Sequence, residues 1–355
     1  MNKNLIVCRT PFQVITALVL VHSRLRNDEN DIIITSDFRQ SREVSQLCAK
    51  LGCFRNSYFF DYSKFNYVVG VVNPNVFLGQ LAKSSINNYT YIYTNSTYGD
   101  LENALLYYNQ NAEIVLYDEG YSSYLDLALK KSLSVKHKIC VAISKILYPR
   151  KLSHQCISKQ LLYDPDLIVY DMPFKIERLW QQEQNVMKKV MADVSEIFDV
   201  KKAIGEYSTK YIYFEECFAN DFNNNGDLEI IDMIASIVGR DSLMVKLHPR
   251  DKTNRFNDKG IKTNRILSIP TEALLSEMEK KDKVFISFSS GSAINYKFIC
   301  DYNIKTILLY KLLPDSFVKM SPLQTIWFDR FIAKYKGNIF APRTKEELNS
   351  IIKML

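Results

Sequence analysis

The chain has 355 residues, 47% hydrophobic and 24% charged, the balance of a soluble globular protein long enough for about two domains. No apolar run reaches the roughly 18 residues that span a bilayer, and the stretch from Val14 to Val21 lacks the basic start and small-residue cleavage site of a signal peptide. The seven cysteines (8, 48, 53, 140, 156, 217 and 300) are odd in number and contain no CxxC pair, which argues for reduced thiols in a cytoplasmic protein; the net charge of +7 suits an anionic ligand or surface and says nothing of fold.

Residues 3–8 read as a first strand. Thr10 and Pro11 then form a helix start, a capping side chain followed by a proline in the first turn. Helical spacing covers Phe12 to Leu25, and further helices are expected over Gln40 to Leu51, 73–87 and 99–109. Asp31 to Thr35, Tyr58 to Phe60, Tyr91 to Tyr93 and Ile114 to Tyr117 read as strands. Between Asp126 and Asp164 there is no acidic residue, while Lys130, Lys131, Lys136, Lys138, Lys145, Arg150, Lys151 and Lys159 sit among apolar side chains. That stretch suits either a solvated helix face or a basic amphipathic helix on an anionic membrane. Lys175 to Met191 reads as one long charged helix, and Asp193 to Tyr207 as a linker.

Alternation resumes after the linker. Strands are expected at Tyr211 to Glu215, Ser242 to Leu247, Val284 to Ser287 and Ile304 to Tyr310. Helices are expected at Leu228 to Val238, Thr271 to Glu279 and Ser292 to Ile299, with a capping box at Thr344 to Glu347 opening a last helix. Strands alternating with helices imply parallel sheets covered on both faces. The expectation is an α/β protein of GT-B type: two Rossmann-like, doubly wound domains, 1–205 and 206–355, facing a central cleft, the last helix packing back on the first domain. In such sheets ligands bind beyond the carboxyl ends of the strands.

Three short tracts fall at such ends, and a fourth lies at a helix start. Asp118-Glu119-Gly120 follows a strand and offers a carboxylate base, with a glycine that lets the chain approach a ligand. Lys246-Leu247-His248-Pro249-Arg250 leaves another strand, and its two cations flanking a histidine suit a phosphate that accepts a proton or hydrogen bond. Ser289-Ser290-Gly291 precedes a helix, where hydroxyls, backbone N–H groups and the helix dipole favour an anion. Glu272 lies in the first turn of a helix after Pro270, placed either to complement the dipole or to accept ribose hydroxyls.

The acidic-acidic-Gly triplet, the Lys-x-His-Pro tract, the helix-start Glu and the Ser-Ser segment, in this order, resemble bacterial sialyltransferases. The His-Pro-Arg and Phe-Ser-Ser-Gly-Ser-Ala extensions and the Leu5 to Pro11 start are most similar to glycosyltransferase family 52, the lipooligosaccharide sialyltransferases. The resemblance implies a metal-independent, inverting transfer of sialic acid from CMP-sialic acid, with no cofactor, to a galactose-type terminus of a lipooligosaccharide or capsule. It implies that Asp118 acts as base and His248 as acid across the interdomain cleft, that Ser289 and Ser290 hold the phosphate, that Glu272 holds the ribose, and that Lys246 lines the nucleotide site. In family 52 the base is placed in the loop after the first strand of the second domain, here at Glu216 or Asp221.

Alternatives stay open at this stage. Asp164-Pro165-Asp166 is formally the metal-binding DxD of another transferase fold, though Pro165 favours a turn. The donor is CMP-Kdo or a UDP-hexose on a second reading, and on a third the protein is a non-catalytic glycan or membrane binder resting on 130–159. No nucleic-acid partner is expected; a homodimer, and a place on the inner face of the cytoplasmic membrane, are compatible with the resemblance.

Overall fold

The computed structural model describes every residue except 65–77, 82–85, 96–99, 126–156, 219–225, 252, 301 and 314–319. The chain forms two compact units, Met1–Asp193 and Val194–Leu355.

Unit 1 contains seven strands: β1 (Lys3–Cys8), β2 (Glu29–Thr35), β3 (Asn56–Phe60), β4 (Tyr91–Thr94), β5 (Glu113–Tyr117), β6 (Ile157–Leu162) and β7 (Lys175–Arg178). All pair in parallel, in the order β3-β2-β1-β4-β5-β6-β7. The central strands are continuous apolar runs because both faces are covered, and Leu5, Val7, Ile33, Ile92 and Ile114 are completely buried in one core. Helix α1 (Pro11–His22) starts as its sequence predicts: Pro11 occupies the first turn and the Thr10 side chain accepts the Gln13 N–H. Helices α2 (Ser41–Cys48), α3 (Asp100–Tyr108) and α4 (Gln184–Ile197) follow. Of the helix expected over 73–87, only 78–81 and 86–87 are described, and they hold a 3₁₀ turn, Leu78–Gln80, in place of a helix; the basic stretch from Lys130 up to residue 156 lies outside the described residues.

The Lys175 to Met191 helix does not form as one element. Lys175–Arg178 is instead the edge strand β7, paired with β6, and the helix begins only at Gln184. Charge decides this: Glu177 gathers Arg24, Lys159 and Lys175 around itself, which a strand edge accommodates and which places charge where an edge needs it. The expected linker over 193–207 is likewise structured. Helix α4 runs through the boundary at 193/194, and two 3₁₀ turns, Val200–Lys202 and Ile204–Glu206, follow.

Unit 2 repeats the plan with six parallel strands: β8 (Tyr211–Phe214), β9 (Leu243–Lys246), β10 (Lys262–Thr263), β11 (Val284–Ser287), β12 (Lys305–Leu308) and β13 (Ile339–Phe340). Their order is β10-β9-β8-β11-β12-β13. Helices α5 (Asp227–Val238), α6 (Thr271–Leu274), α7 (Tyr296–Ile299), α8 (Pro322–Lys334) and α9 (Lys345–Met354) accompany them. Leu348 and Ile352 place α9 in the core of unit 2 itself. In both sheets the strand order reverses beside the first strand of the unit, between β1 and β4 and between β8 and β11. A crevice for ligands is expected at the carboxyl side of each reversal.

Candidate functional site

In unit 2 the polar residues collect where β8, β9 and β11 end. Glu215 and Glu216 leave β8 and point their chemistry at different neighbours. Glu215 accepts the His248 N–H at 2.8 Å and an Arg255 guanidinium N–H at 2.9 Å, so it fixes the start of the His248-Pro249-Arg250 tract. Glu216 accepts the Ser289 N–H at 2.6 Å and the Ser289 hydroxyl at 3.1 Å, tying β8 to the serine loop after β11 across the strand-order reversal. The next residue, Cys217, is buried with φ at 58°, a left-handed backbone that a non-glycine residue holds at a cost of about 1–3 kcal/mol. Burial pushes the Glu216 carboxyl up to about 7, against the hydrogen bonds from Ser289. Burial, and then a hydrogen bond with Asp251, lift Glu215 to about 8.

His248 is partly exposed, and Pro249 and Arg250 are exposed. The His248 Nδ1 accepts the Arg250 N–H at 3.2 Å, which leaves Nε2 to carry the ring proton in the neutral form. The ring is therefore set as a donor through Nε2.

The serine loop differs from its expectation in one respect. Gly291–Ala293 is a 3₁₀ turn and α7 is a single turn of helix, so the long helix dipole expected behind Ser290 is absent. What remains is local. Ser290 caps the turn by accepting the Ser292 N–H at 3.2 Å. The Ser289 hydroxyl donates a hydrogen bond to Glu216. Of the two hydroxyls, Ser290 is the one not spent on Glu216.

Lys246 and Glu272 are both buried and face one another electrostatically. Burial lowers the Lys246 ammonium to about 8, opposed by the charge of Glu272. Burial raises Glu272 to about 7, opposed by a hydrogen bond from Asn295 and by Lys246. Beside this pair lie two polar atoms without a partner, Thr271 Oγ1 and Asn295 Oδ1, on residues 1% and 7% exposed. Buried polar atoms are almost always paired, and these two belong to residues that adjoin a buried carboxylate. The sequence reading singled out Glu272 and Gly291 but neither of these neighbours. A signal existed for each: Thr271 directly precedes Glu272, and Asn295 stands one helical turn after Gly291, whose carbonyl its N–H contacts at 2.8 Å.

In unit 1 the triplet sits just past β5. Asp118 is completely buried. Its Oδ1 accepts the Gly120 N–H at 2.8 Å; its Oδ2 accepts the Tyr163 N–H at 3.0 Å and the Tyr124 hydroxyl. Burial raises it to about 7, with the Tyr124 hydrogen bond opposing. Glu119 is the half-buried member. It accepts from Gln13 Nε2 and the Ser122 hydroxyl, each at 3.1 Å, and from Asn95. With Asn95, Ser122 and Gln160 it lines a small pocket whose other walls are Leu116, Leu125 and Phe174. Gly120 has φ 106° and ψ −163°, a region essentially reserved for glycine. In the Asp164-Pro165-Asp166 tract Asp164 precedes a 3₁₀ turn, Pro165–Leu167, and Arg178 pairs with the carboxylates of Asp164 and Asp166. Asp221 lies outside the described residues.

The sequence profile of the alpha-2,8-polysialyltransferase (POLYST) family matches residues 4–311, across both units. The chain belongs to this family. It is a glycosyltransferase of the sialyl class, and the matched span contains the triplet, the His248 tract, Glu272 and the serine loop. No curated protein sequence matches it. Among solved structures it resembles the Methanocaldococcus jannaschii UDP-GlcNAc 2-epimerase in complex with UDP-GlcNAc and UDP, with a TM-score of 0.56 and 13% identity over 100% of this chain and 92% of that one. The S. aureus MnaA–UDP structure gives 0.55 and 14% over 100% and 88%. Arabidopsis thaliana UGT89C1 with UDP-L-rhamnose gives 0.54 and 7% over 99% and 89%. These likenesses establish the fold as GT-B.

Proposed function

We propose that this polysialyltransferase-family protein transfers sialic acid from CMP-sialic acid to the terminal sugar of a surface glycan, with inversion. The observation that carries the reading is the pair of unpartnered buried atoms, Thr271 Oγ1 and Asn295 Oδ1, beside Glu272 and Lys246. A carboxylate with two polar atoms lacking partners matches the hydroxyls of a ribose. The Ser290 hydroxyl and the His248 Nε2–H supply donors for a phosphate attached to it.

The acceptor hydroxyl attacks the anomeric carbon and loses its proton to a carboxylate. The bond from that carbon to the CMP phosphate oxygen breaks, and the negative charge left on CMP is met by His248 and Ser290. Glu216 and Asp118 are both held near neutrality, which suits a base at physiological pH. Glu216 ranks first because it is part-exposed, whereas Asp118 is sealed. The chemistry draws on no added metal, so supplementing Mg²⁺ or Mn²⁺ leaves turnover unchanged. The family's name favours a sialic acid terminus as acceptor; the likeness to family 52 favours a galactose terminus of lipooligosaccharide or capsule. The basic stretch between Lys130 and Lys159, of which only Ile157 to Lys159 are among the described residues, is proposed to hold the protein on the anionic inner face of the membrane.

The test is incubation with CMP-sialic acid and either lactose or sialyllactose, with CMP-Kdo and a UDP-hexose as competing donors and products identified by mass spectrometry. Sialylated product is expected, and sialyllactose extension marks the α-2,8 reading. Product only from a UDP-hexose, or none from CMP-sialic acid with either acceptor, overturns the assignment.

A further inference from the structure

A different corner of unit 1 gathers metal-binding chemistry that the transfer does not use. His22 ends α1, Cys53 lies in the loop between α2 and β3, and Asp193 sits on α4. One imidazole nitrogen, one thiol sulfur and one carboxylate oxygen from these residues lie within 4.8 Å of one another, and among the described residues no other such trio of histidine, cysteine and acidic side chains occurs. His22 is 8% exposed, and Cys53 and Asp193 are half-buried. Gly52, with φ 69°, supplies the left-handed turn that brings Cys53 to this place.

The contacts within the trio are those of a site closed by a proton. His22 Nε2 meets Asp193 Oδ2 at 2.5 Å, the same nitrogen that a metal would take. In a tetrahedral zinc site, with metal–donor bonds of about 2.0–2.3 Å, the donors stand about 3.3–3.7 Å apart. The His22–Asp193 contact is shorter than that range, and Cys53 Sγ lies within 4.8 Å of both, so the two hydrogen-bonded side chains must part to admit an ion between all three. Imidazole, thiolate and carboxylate together suit Zn²⁺ and are poor ligands for Mg²⁺ or Ca²⁺. Burial, and then the Asp193 carboxylate, push the Cys53 thiol up to about 12 against the smaller pull of Lys189, one turn before Asp193, so the thiol keeps its proton until a cation takes its place.

We propose that His22, Cys53 and Asp193 form a zinc site, with water as the fourth ligand. Binding displaces the Cys53 thiol proton to solvent and replaces the His22–Asp193 hydrogen bond with bonds to the ion, any proton on His22 Nε2 leaving for Nδ1 or for solvent. The ion fastens α4, the helix that carries the chain out of unit 1, to the end of α1 and to the loop before β3. The site is independent of the sialyl-transfer reading, and its failure leaves that reading untouched.

The test uses the full chain without a histidine tag, loaded with zinc, dialysed, and measured by elemental mass spectrometry and by peptide-mapped thiol alkylation. About one zinc per chain is expected, with Cys53 protected from alkylation by zinc and released by a strong chelator. His22→Gln and Asp193→Asn each weaken zinc affinity by more than about tenfold. A zinc content below about one-tenth per chain, or Cys53 alkylation that is the same with and without zinc, overturns the proposal. Both measurements are made on the native sequence, so they stand even if a variant does not fold.

Discussion

Glu216 accepts two hydrogen bonds from Ser289 while burial holds its carboxyl near 7. If it removes the acceptor proton, it must be ionised, so kcat/KM falls as pH drops below about 7. Glu216→Gln is expected to lower turnover on the order of 10²–10⁴-fold and to erase that acid limb, and azide is expected to rescue part of the rate in Glu216→Ala. A Glu216→Gln variant with normal turnover, alongside an inactive Asp118→Asn, would instead assign the base to unit 1. Asp118 carries a separate, structural expectation. Its folded value of about 7 lies above the unfolded value near 4. Folding is therefore favoured by the protonated form: the stabilisation is complete below pH about 4 and lost as pH rises through 7. Asp118→Asn turns an amide N–H toward groups that already donate, the Tyr124 hydroxyl and Tyr163 N–H or the Gly120 N–H. It is expected to cost about 1–3 kcal/mol in urea unfolding at pH 5, and to flatten the pH dependence between 4 and 7.

At the scale of elements, the turn after β5 depends on Gly120. Its φ of 106° with ψ −163° is closed to side chains, so Gly120→Ala is expected to destabilise unit 1 by about 1–3 kcal/mol and to shift the Asp118 and Glu119 carboxyls; unchanged thermal unfolding would contradict this. The same scale shows what the sequence makes legible. Runs such as Leu5-Ile6-Val7-Cys8 and Val284-Phe285-Ile286-Ser287 are continuous and apolar because both sheet faces are covered, and both are strands where periodicity places them. Lys-Ile-Glu-Arg at β7 is a strand that periodicity misses, since its stabilisation is charge pairing at an edge. The Thr344 to Glu347 box is half realised: Thr344 accepts the Glu347 N–H at 3.2 Å, but Glu347 reaches back to the Arg343 N–H at 2.8 Å. The reciprocal box stands at Ser321 and Gln324, opening a helix that the pattern did not reveal. In the candidate site, His248 and Ser290 are legible because residue type and strand end coincide, and Glu272 because a carboxylate follows Pro270 at a helix start. The Glu216–Ser289 clasp joins positions far apart in sequence, and an unpartnered Asn295 oxygen is a property of packing; neither is written in a local pattern.

For the molecule as a whole, the raised carboxyls act together. Asp118, Glu215, Glu216 and Glu272 all have folded values above their unfolded ones, so each binds protons more tightly when folded. Thermal stability is expected to fall between pH 5 and 8. Lys246, lowered to about 8, works the other way, adding stability as pH rises above that value. On the proposed reading CMP binds at Lys246, Glu272 and Asn295 and counters the decline: at one hundred times its Kd it is expected to stabilise the protein by about 2.7 kcal/mol. Differential scanning calorimetry with CMP and with UDP checks this, and equal stabilisation by UDP would contradict cytidine selectivity. Among the described residues no helix is long and apolar enough to cross a membrane.

The strand order of unit 1 also sets a timetable for synthesis. β1 lies between β2 and β4, yet β4 begins only at Tyr91 and β7 ends at Arg178. At about 5–20 residues per second, β1 leaves the ribosome roughly 4–17 s before the strand that covers its second edge. During that interval an apolar strand, Leu-Ile-Val-Cys, waits with a bare backbone edge, open to pairing with other nascent chains. Slower growth at low temperature with ample chaperone, rather than a change of sequence, is the remedy this topology calls for in producing the protein.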